Sequence, residues 1–148
     1  MNVSTAECAP AKVRVIESNP AIAEIMMLVL TTAGHRAFQH TSGRQALRAH
    51  AGIGPDVILL AGSLPDVAAE DMCRELRART AVPIIVLSTD HDPDLAEALR
   101  AEGASDCLRL PVHTRELLDR ISTLLQEDRQ AIAPPGSATT KPAPSAAA

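Results

Sequence analysis

An α/β protein is expected to do chemistry where an apolar strand ends and the chain turns. Pro55 to Asp66, Pro-Asp-Val-Ile-Leu-Leu-Ala-Gly-Ser-Leu-Pro-Asp, is such a place. Residue 61 falls at the carboxyl edge of a parallel sheet, and it is alanine, which has no nucleophile. Two other edge positions carry polar groups: the Glu17 carboxylate with Ser18 beside it, and the Ser88 hydroxyl. Asp90-His91-Asp92-Pro93-Asp94 offers two kinds of metal ligand, but from one local segment. It reads more simply as a solvated helix start, where acids favour the positive end of the helix dipole. Ser63, Asp66 and Asp90 could accept a phosphoryl group, yet each lies off the strand tip. Cys8, Cys73 and Cys107 fit neither a metal pattern nor a disulfide framework and read as free thiols. With no glycine-rich phosphate loop, nucleophile–base pair or cofactor fingerprint, the chain is expected not to be an enzyme and to hold no cofactor or metal.

The elements that position these residues follow from hydrophobic periodicity. Lys12–Glu17 reads as a short strand. Asn19-Pro20 then supplies a cap and a first-turn proline for a helix with Ile22, Ile25, Met26, Val29, Leu30 and Ala33 on its core face, ending at Gly34. Arg36–His40 is a weaker strand, and Ser42-Gly43-Arg44-Gln45 fits a capping box opening a helix to about Ala51. Val57–Leu60 is continuously apolar, as a buried parallel strand should be. Asp66 is placed to cap a third helix to about Arg79, with Met72, Cys73 and Leu76 inward. Val82–Leu87 is another apolar strand, Asp92-Pro93 opens a fourth helix ending at Gly103, and Asp106–Leu110 is a fifth strand. His113–Gln126 is a helix with Leu117, Leu118, Ile121, Leu124 and Leu125 on its core face. Five β-α units with short right-handed crossovers imply a doubly wound, five-stranded parallel sheet, a flavodoxin-like (βα)5 fold.

The bulk properties agree with one folded domain. Of 148 residues, 46% are hydrophobic, enough for a core, and Phe38 is the only aromatic, so that core is aliphatic. The expected divisions are a flexible segment over residues 1–11, a domain over 12–127 and a disordered Ala/Pro/Ser/Thr tail over 128–148. A net charge of −4 argues against nonspecific nucleic-acid binding and offers no basic membrane patch. Lacking a signal-peptide pattern and any apolar run of spanning length, the protein is expected to be cytoplasmic.

Four segments then carry a resemblance. Val15 to Pro20, Leu59 to Asp66, Pro83 to Ser88 and Glu102 to Pro111 look like the acidic-pair, phosphoacceptor, switch-hydroxyl and Lys-Pro segments of bacterial response-regulator receiver domains. Their order and intervals are similar to those of receivers usually fused to a winged-helix DNA-binding domain, and the resemblance spans about residues 12–127. It implies the receiver fold and a place in two-component, phosphorelay-type signalling. It also implies a cis Leu110-Pro111 bond.

In that family an aspartate attacks phosphorus while Mg²⁺, a lysine and a hydroxyl hold the phosphoryl oxygens. The resemblance assigns Glu17 to one acidic position, whereas Ser18 replaces the other acid. Ala61 replaces the nucleophile, Leu110 the lysine and Cys107 the switching aromatic, while Ser88 keeps the hydroxyl. Ala69 replaces a glycine at the start of the third helix. One carboxylate remains of three, so no specific Mg²⁺ affinity is expected. Losing Asp and Lys together avoids stranding an unpaired buried charge. The expected function is therefore that of a degenerate pseudo-receiver acting through phosphorylation-independent protein–protein contacts. Its partner would be a sensor kinase, a response regulator or another signalling protein. The fourth helix, fifth strand and fifth helix form a dimer face in the related subfamily, and here Glu97, Arg100, Glu102, Asp106, Arg109, Arg115, Glu116, Asp119 and Arg120 supply mixed charge over that region. Met27, off the core stripe of the first helix, is a second candidate contact. The alternative is a small-molecule-responsive module built on the emptied pocket around Ala61, Ser88 and Leu110.

Overall fold

The computed structural model describes residues 10–49 and 54–131. Five strands alternate with five helices: β1 Lys12–Ile16, α1 Pro20–Thr32, β2 Arg36–His40, α2 Gly43–Ala49, β3 Val57–Ala61, α3 Ala69–Arg77, β4 Ile84–Ser88, α4 Pro93–Ala101, β5 Asp106–Arg109 and α5 Thr114–Ala131. The strands are all parallel, in the order β2-β1-β3-β4-β5. Every residue of β3 is buried, because its alternate side chains enter two separate cores. Val57 and Leu59 join Val13, Val15, Ile85 and Leu87 beneath α1 and α5. Ile58 and Leu60 join Ile16, Ile84 and Val86 beneath α2, α3 and α4. This is the expected doubly wound sheet. Among the described residues no helix is long and apolar enough to cross a membrane.

Local signals set most boundaries. Asn19 caps α1, its side-chain oxygen accepting from the N–H groups of Ala21 and Ile22, and Asp92 caps α4 by accepting from Asp94. Gly34 and Gly103 take positive φ just beyond α1 and α4, where any other residue would be strained. The Leu110-Pro111 peptide is cis.

Several expectations need correction. Asp66 does not cap the third helix. Ala68 occupies that position without a side-chain bond, while the Asp66 carboxylate accepts from the Gly43 and Arg44 N–H groups at 3.0 and 2.9 Å and so caps α2. The capping box opens α2 as expected, with Gln45 N–H donating to Ser42 Oγ, but the Gln45 side chain reaches back to the N–H of Thr41. That helix is described to Ala49, and its expected end at Ala51 lies outside the described residues. Helix α5 runs five residues past Gln126, to Ala131, so the first residues assigned to the tail are helical. On α1 the core takes Ala23, Met26 and Leu30, and Ile25 stands 62% exposed instead of inward. The leading segment to residue 9, the tail from residue 132 and Cys8 lie outside the described residues.

Candidate functional site

The strand order reverses direction of growth at β1 and β3, and α/β sheets open a crevice at the carboxyl ends of strands flanking such a point. Here that crevice is a cavity of about 280 Å³. It brings together Glu17, Ser18, Ala61, Ser88 and Leu110, five of the six positions singled out from the sequence. The sheet register does this: Glu17 follows Ile16, which pairs with Leu60, and Ala61 pairs with Leu87, next to Ser88. Backbone bonds continue past the strand ends, from Gly62 N–H to Leu87 O at 2.8 Å and from Leu110 N–H to Ser88 O at 2.9 Å.

Glu17 is 6% exposed, and one of its carboxylate oxygens accepts from the Asn19 N–H at 2.8 Å. Ser88 Oγ accepts from the Asp90 N–H at 3.0 Å, an ordinary strand-end satisfaction of the backbone. Gly62 was not foreseen. A Cβ there would stand 2.7 Å from Ser88 Cβ, so glycine is what lets β3 and β4 close together at the cavity floor. Thr89, also missed, lines the rim. The tie between Glu17 and Asn19 was legible in principle, because an Asn-Pro cap two residues after a carboxylate brings that N–H within reach.

Cys107 is not in this cavity. It lines a neighbouring space of about 190 Å³ under α4, and Ser88 forms a wall of both. Burial pushes its thiol up from the ordinary range, and burial likewise pushes Cys73 up to about 12. Both thiols therefore stay protonated at neutral pH. Among the alternative acceptors, Asp66 has both oxygens engaged by backbone N–H groups, which hold its carboxyl below the usual range. Asp90 accepts from Asp92 N–H outside the cavity.

The Mg²⁺ that the receiver resemblance implies does not fit these residues. Glu17 supplies the cavity's one carboxylate, with one oxygen already bonded to the backbone, and Ala61 adds no side-chain ligand.

The proposed contact surfaces differ from expectation in two places. Asp106 is buried, held by Arg100 at 3.3 Å and Arg120 at 2.6 Å, so it ties α4, β5 and α5 together instead of facing a partner. Arg100 and Arg120 are half exposed, and Arg109 and Arg115 are exposed along with Glu97, Glu116 and Asp119, so the surface over that tie carries mixed charge. Met27 packs, half-buried, against the core. The exposed apolar residues of α1 are instead Ile25 and Leu28, at 62% and 66%. The helical stripe put Ile25 inward and Met27 off it, and the turn of α1 against the sheet reverses the two.

Comparison with known proteins follows the same outline. A family model described as the response regulator receiver domain matches residues 13–122. Sensory transduction protein RegX3 of Mycobacterium tuberculosis is 33% identical over 115 residues, covering 77% of this chain and 50% of that protein. DNA-binding response regulator MtrA of Mycolicibacterium smegmatis is 33% identical over 118 residues, covering 79% and 51%. The chain thus spans about half the length of the curated relatives it matches. Among solved structures, the receiver domain of the Francisella response regulator 1452 superposes with a TM-score of 0.75 at 23% identity, covering 80% of this chain and 98% of that one. The receiver domain of the sensor histidine kinase PA1611 from Pseudomonas aeruginosa, solved with magnesium coordinated in its active-site cleft, gives 0.73 at 26% identity, covering 80% and 99%.

Proposed function

Since this chain belongs to the response-regulator receiver family of two-component signalling, we propose that it is a receiver that does not use aspartyl phosphorylation. It acts through contacts with a sensor kinase, a response regulator or another signalling protein. The observation that carries this reading is Ala61, buried at the carboxyl tip of the central strand, where the family places its phosphoacceptor. Leu110 supports it, because the cavity wall that a phosphoryl-binding lysine would occupy is apolar. Ser88, whose hydroxyl accepts from the backbone, keeps a structural task without a phosphoryl group to follow.

The contacts would use surfaces independent of the emptied cavity. The mixed-charge surface over the Arg100–Asp106–Arg120 tie suits a second copy of the chain or a partner of complementary mixed charge. Ile25 and Leu28 on α1 supply an apolar alternative. The test is intact mass after incubation with acetyl phosphate and Mg²⁺, beside amide spectra with and without the metal. Unchanged mass and unchanged signals at Glu17, Gly62 and Ser88 are expected. A labile gain of one phosphoryl group overturns the proposal.

A further inference from the structure

Two cavities meet at the carboxyl edge of the sheet. The first, of about 280 Å³, holds Glu17, Ser63 and Ser88. The second, of about 340 Å³, lies between α1 and the start of α5 and is lined by Ile25, Val29, Pro111 and Leu117. Ile22, Thr89 and Leu110 line both, so the two spaces lie side by side, one with a polar lining and one with an apolar lining. The apolar half alone reaches the size of a small-ligand pocket, and the polar half falls just short of it. We propose that the pair of spaces binds an amphipathic organic cation, a primary ammonium carried on a short apolar body.

The sign of the ligand follows from the lining. Glu17 carries the single charge among the residues lining the two halves, and neither half is lined by Lys or Arg. An anion would therefore meet a mostly buried carboxylate with no cation to offset it, whereas an ammonium would make a charge-assisted hydrogen bond. The start of α1 does not reverse this. The N–H groups of Ala21 and Ile22 are taken by Asn19 Oδ1, and that of Asn19 by Glu17. The remaining ammonium protons find hydroxyl acceptors in Ser63, Ser88 and Thr89, since a hydroxyl oxygen that already accepts once keeps a second lone pair.

The apolar half sets the rest. Ile25 is 62% exposed on the rim, and an alkyl or aryl body lying along it would remove that surface from water. Leu110 stands at the seam. A lysine there would bring its own ammonium toward Glu17, whereas leucine leaves that charge for an outside cation and continues the apolar wall. The inference builds on the loss of phosphorylation proposed above, yet the two fail separately. Phosphoryl uptake would strike at the first, and absence of ammonium binding at the second.

The test titrates the full chain with n-hexylammonium, n-hexanol, hexanoate and methylammonium, followed by amide shifts. Saturable hexylammonium shifts are expected at Glu17, Gly62, Thr89 and Leu110. Hexanoate and methylammonium should bind at least about tenfold more weakly. Glu17→Gln should erase the preference for hexylammonium over hexanol. Ile25→Ser, on the exposed rim, should weaken both several-fold while keeping that preference. The proposal is overturned by a lack of saturable shifts, by hexanoate binding as well as hexylammonium, or by a folded Glu17→Gln chain that keeps the preference. Should Glu17→Gln not fold, the probe series and Ile25→Ser decide the matter alone.

Discussion

Acidification from pH 7.5 to 5.5 should destabilise this protein through two buried histidines, and the structure shows why. Arg14 is fully buried on β1, and its Nη1 lies 2.7 Å from Nε2 of His40 on β2. A guanidinium only donates, so that ring nitrogen must accept and the imidazole must be neutral. The same Nη1 donates to the Ala46 carbonyl on α2 at 3.3 Å, which places the charge between the sheet and that helix. His35 is buried as well, and its Nδ1 accepts from the Ala11 N–H at 3.1 Å. Burial lowers the pKa of both histidines, and Arg14 lowers that of His40 further. Two unit charges about 4 Å apart at an effective dielectric near 20 repel by roughly 4 kcal/mol, so protonating His40 beside Arg14 is strongly opposed. A depressed histidine pKa means that the unfolded chain binds more protons than the folded one. Stability is therefore full above the unfolded value of about 6.5 and declines as pH falls below it. Linkage caps the loss at about 1.4 kcal/mol per histidine over these two pH units, or about 2.7 kcal/mol for the pair, the limit reached when both stay neutral in the folded chain. Asp66 and Glu102, both held below the usual carboxylate range, add nothing in this window. The assay is urea unfolding at each pH followed by far-ultraviolet circular dichroism, since the chain has no Trp or Tyr to report by fluorescence. His40→Gln should halve the loss, and Arg14→Met should reduce it less, because desolvation is the larger cause. A flat pH profile, or a folded-state His40 that titrates at or above 6.5, would refute the reasoning.

Four further outcomes are expected. Asn19→Ala removes the α1 cap and should cost about 1 kcal/mol in urea unfolding, with little change in m-value. Leu60→Ala opens a cavity in a fully buried strand and should cost about 3 kcal/mol, read the same way. Gly62→Ala forces a Cβ against Ser88, so it should lower the melting temperature, and pairing it with Ser88→Gly should recover part of the loss. Cys73, fully buried with its thiol pushed up to about 12, should escape maleimide at pH 7.5 until the chain unfolds, as peptide mass mapping would show.

The sequence by itself determined the layers and most of the edges. Period-two and continuous apolar runs name the strands, three-to-four spacing names the helices, and Asn-Pro, Asp-Pro and Gly mark where helices start and stop. These are local signals, carried by residues within one turn of each other. The emptied edge was legible for the same reason, because Glu17, Ala61, Ser88 and Leu110 all sit at strand ends, and parallel pairing brings strand ends together. What only the tertiary structure decided involves partners far apart in the chain. Asp66 looked like a local cap and instead serves α2, 22 and 23 residues away. Arg14 sits in an alternating strand pattern that does not reveal whether its charge faces water or His40. Asp106 is buried because Arg100 and Arg120 converge on it from two helices. The orientation of α1 chose Met27 for the core and Ile25 for the surface, since an apolar stripe wider than its contact leaves the final rotation to packing.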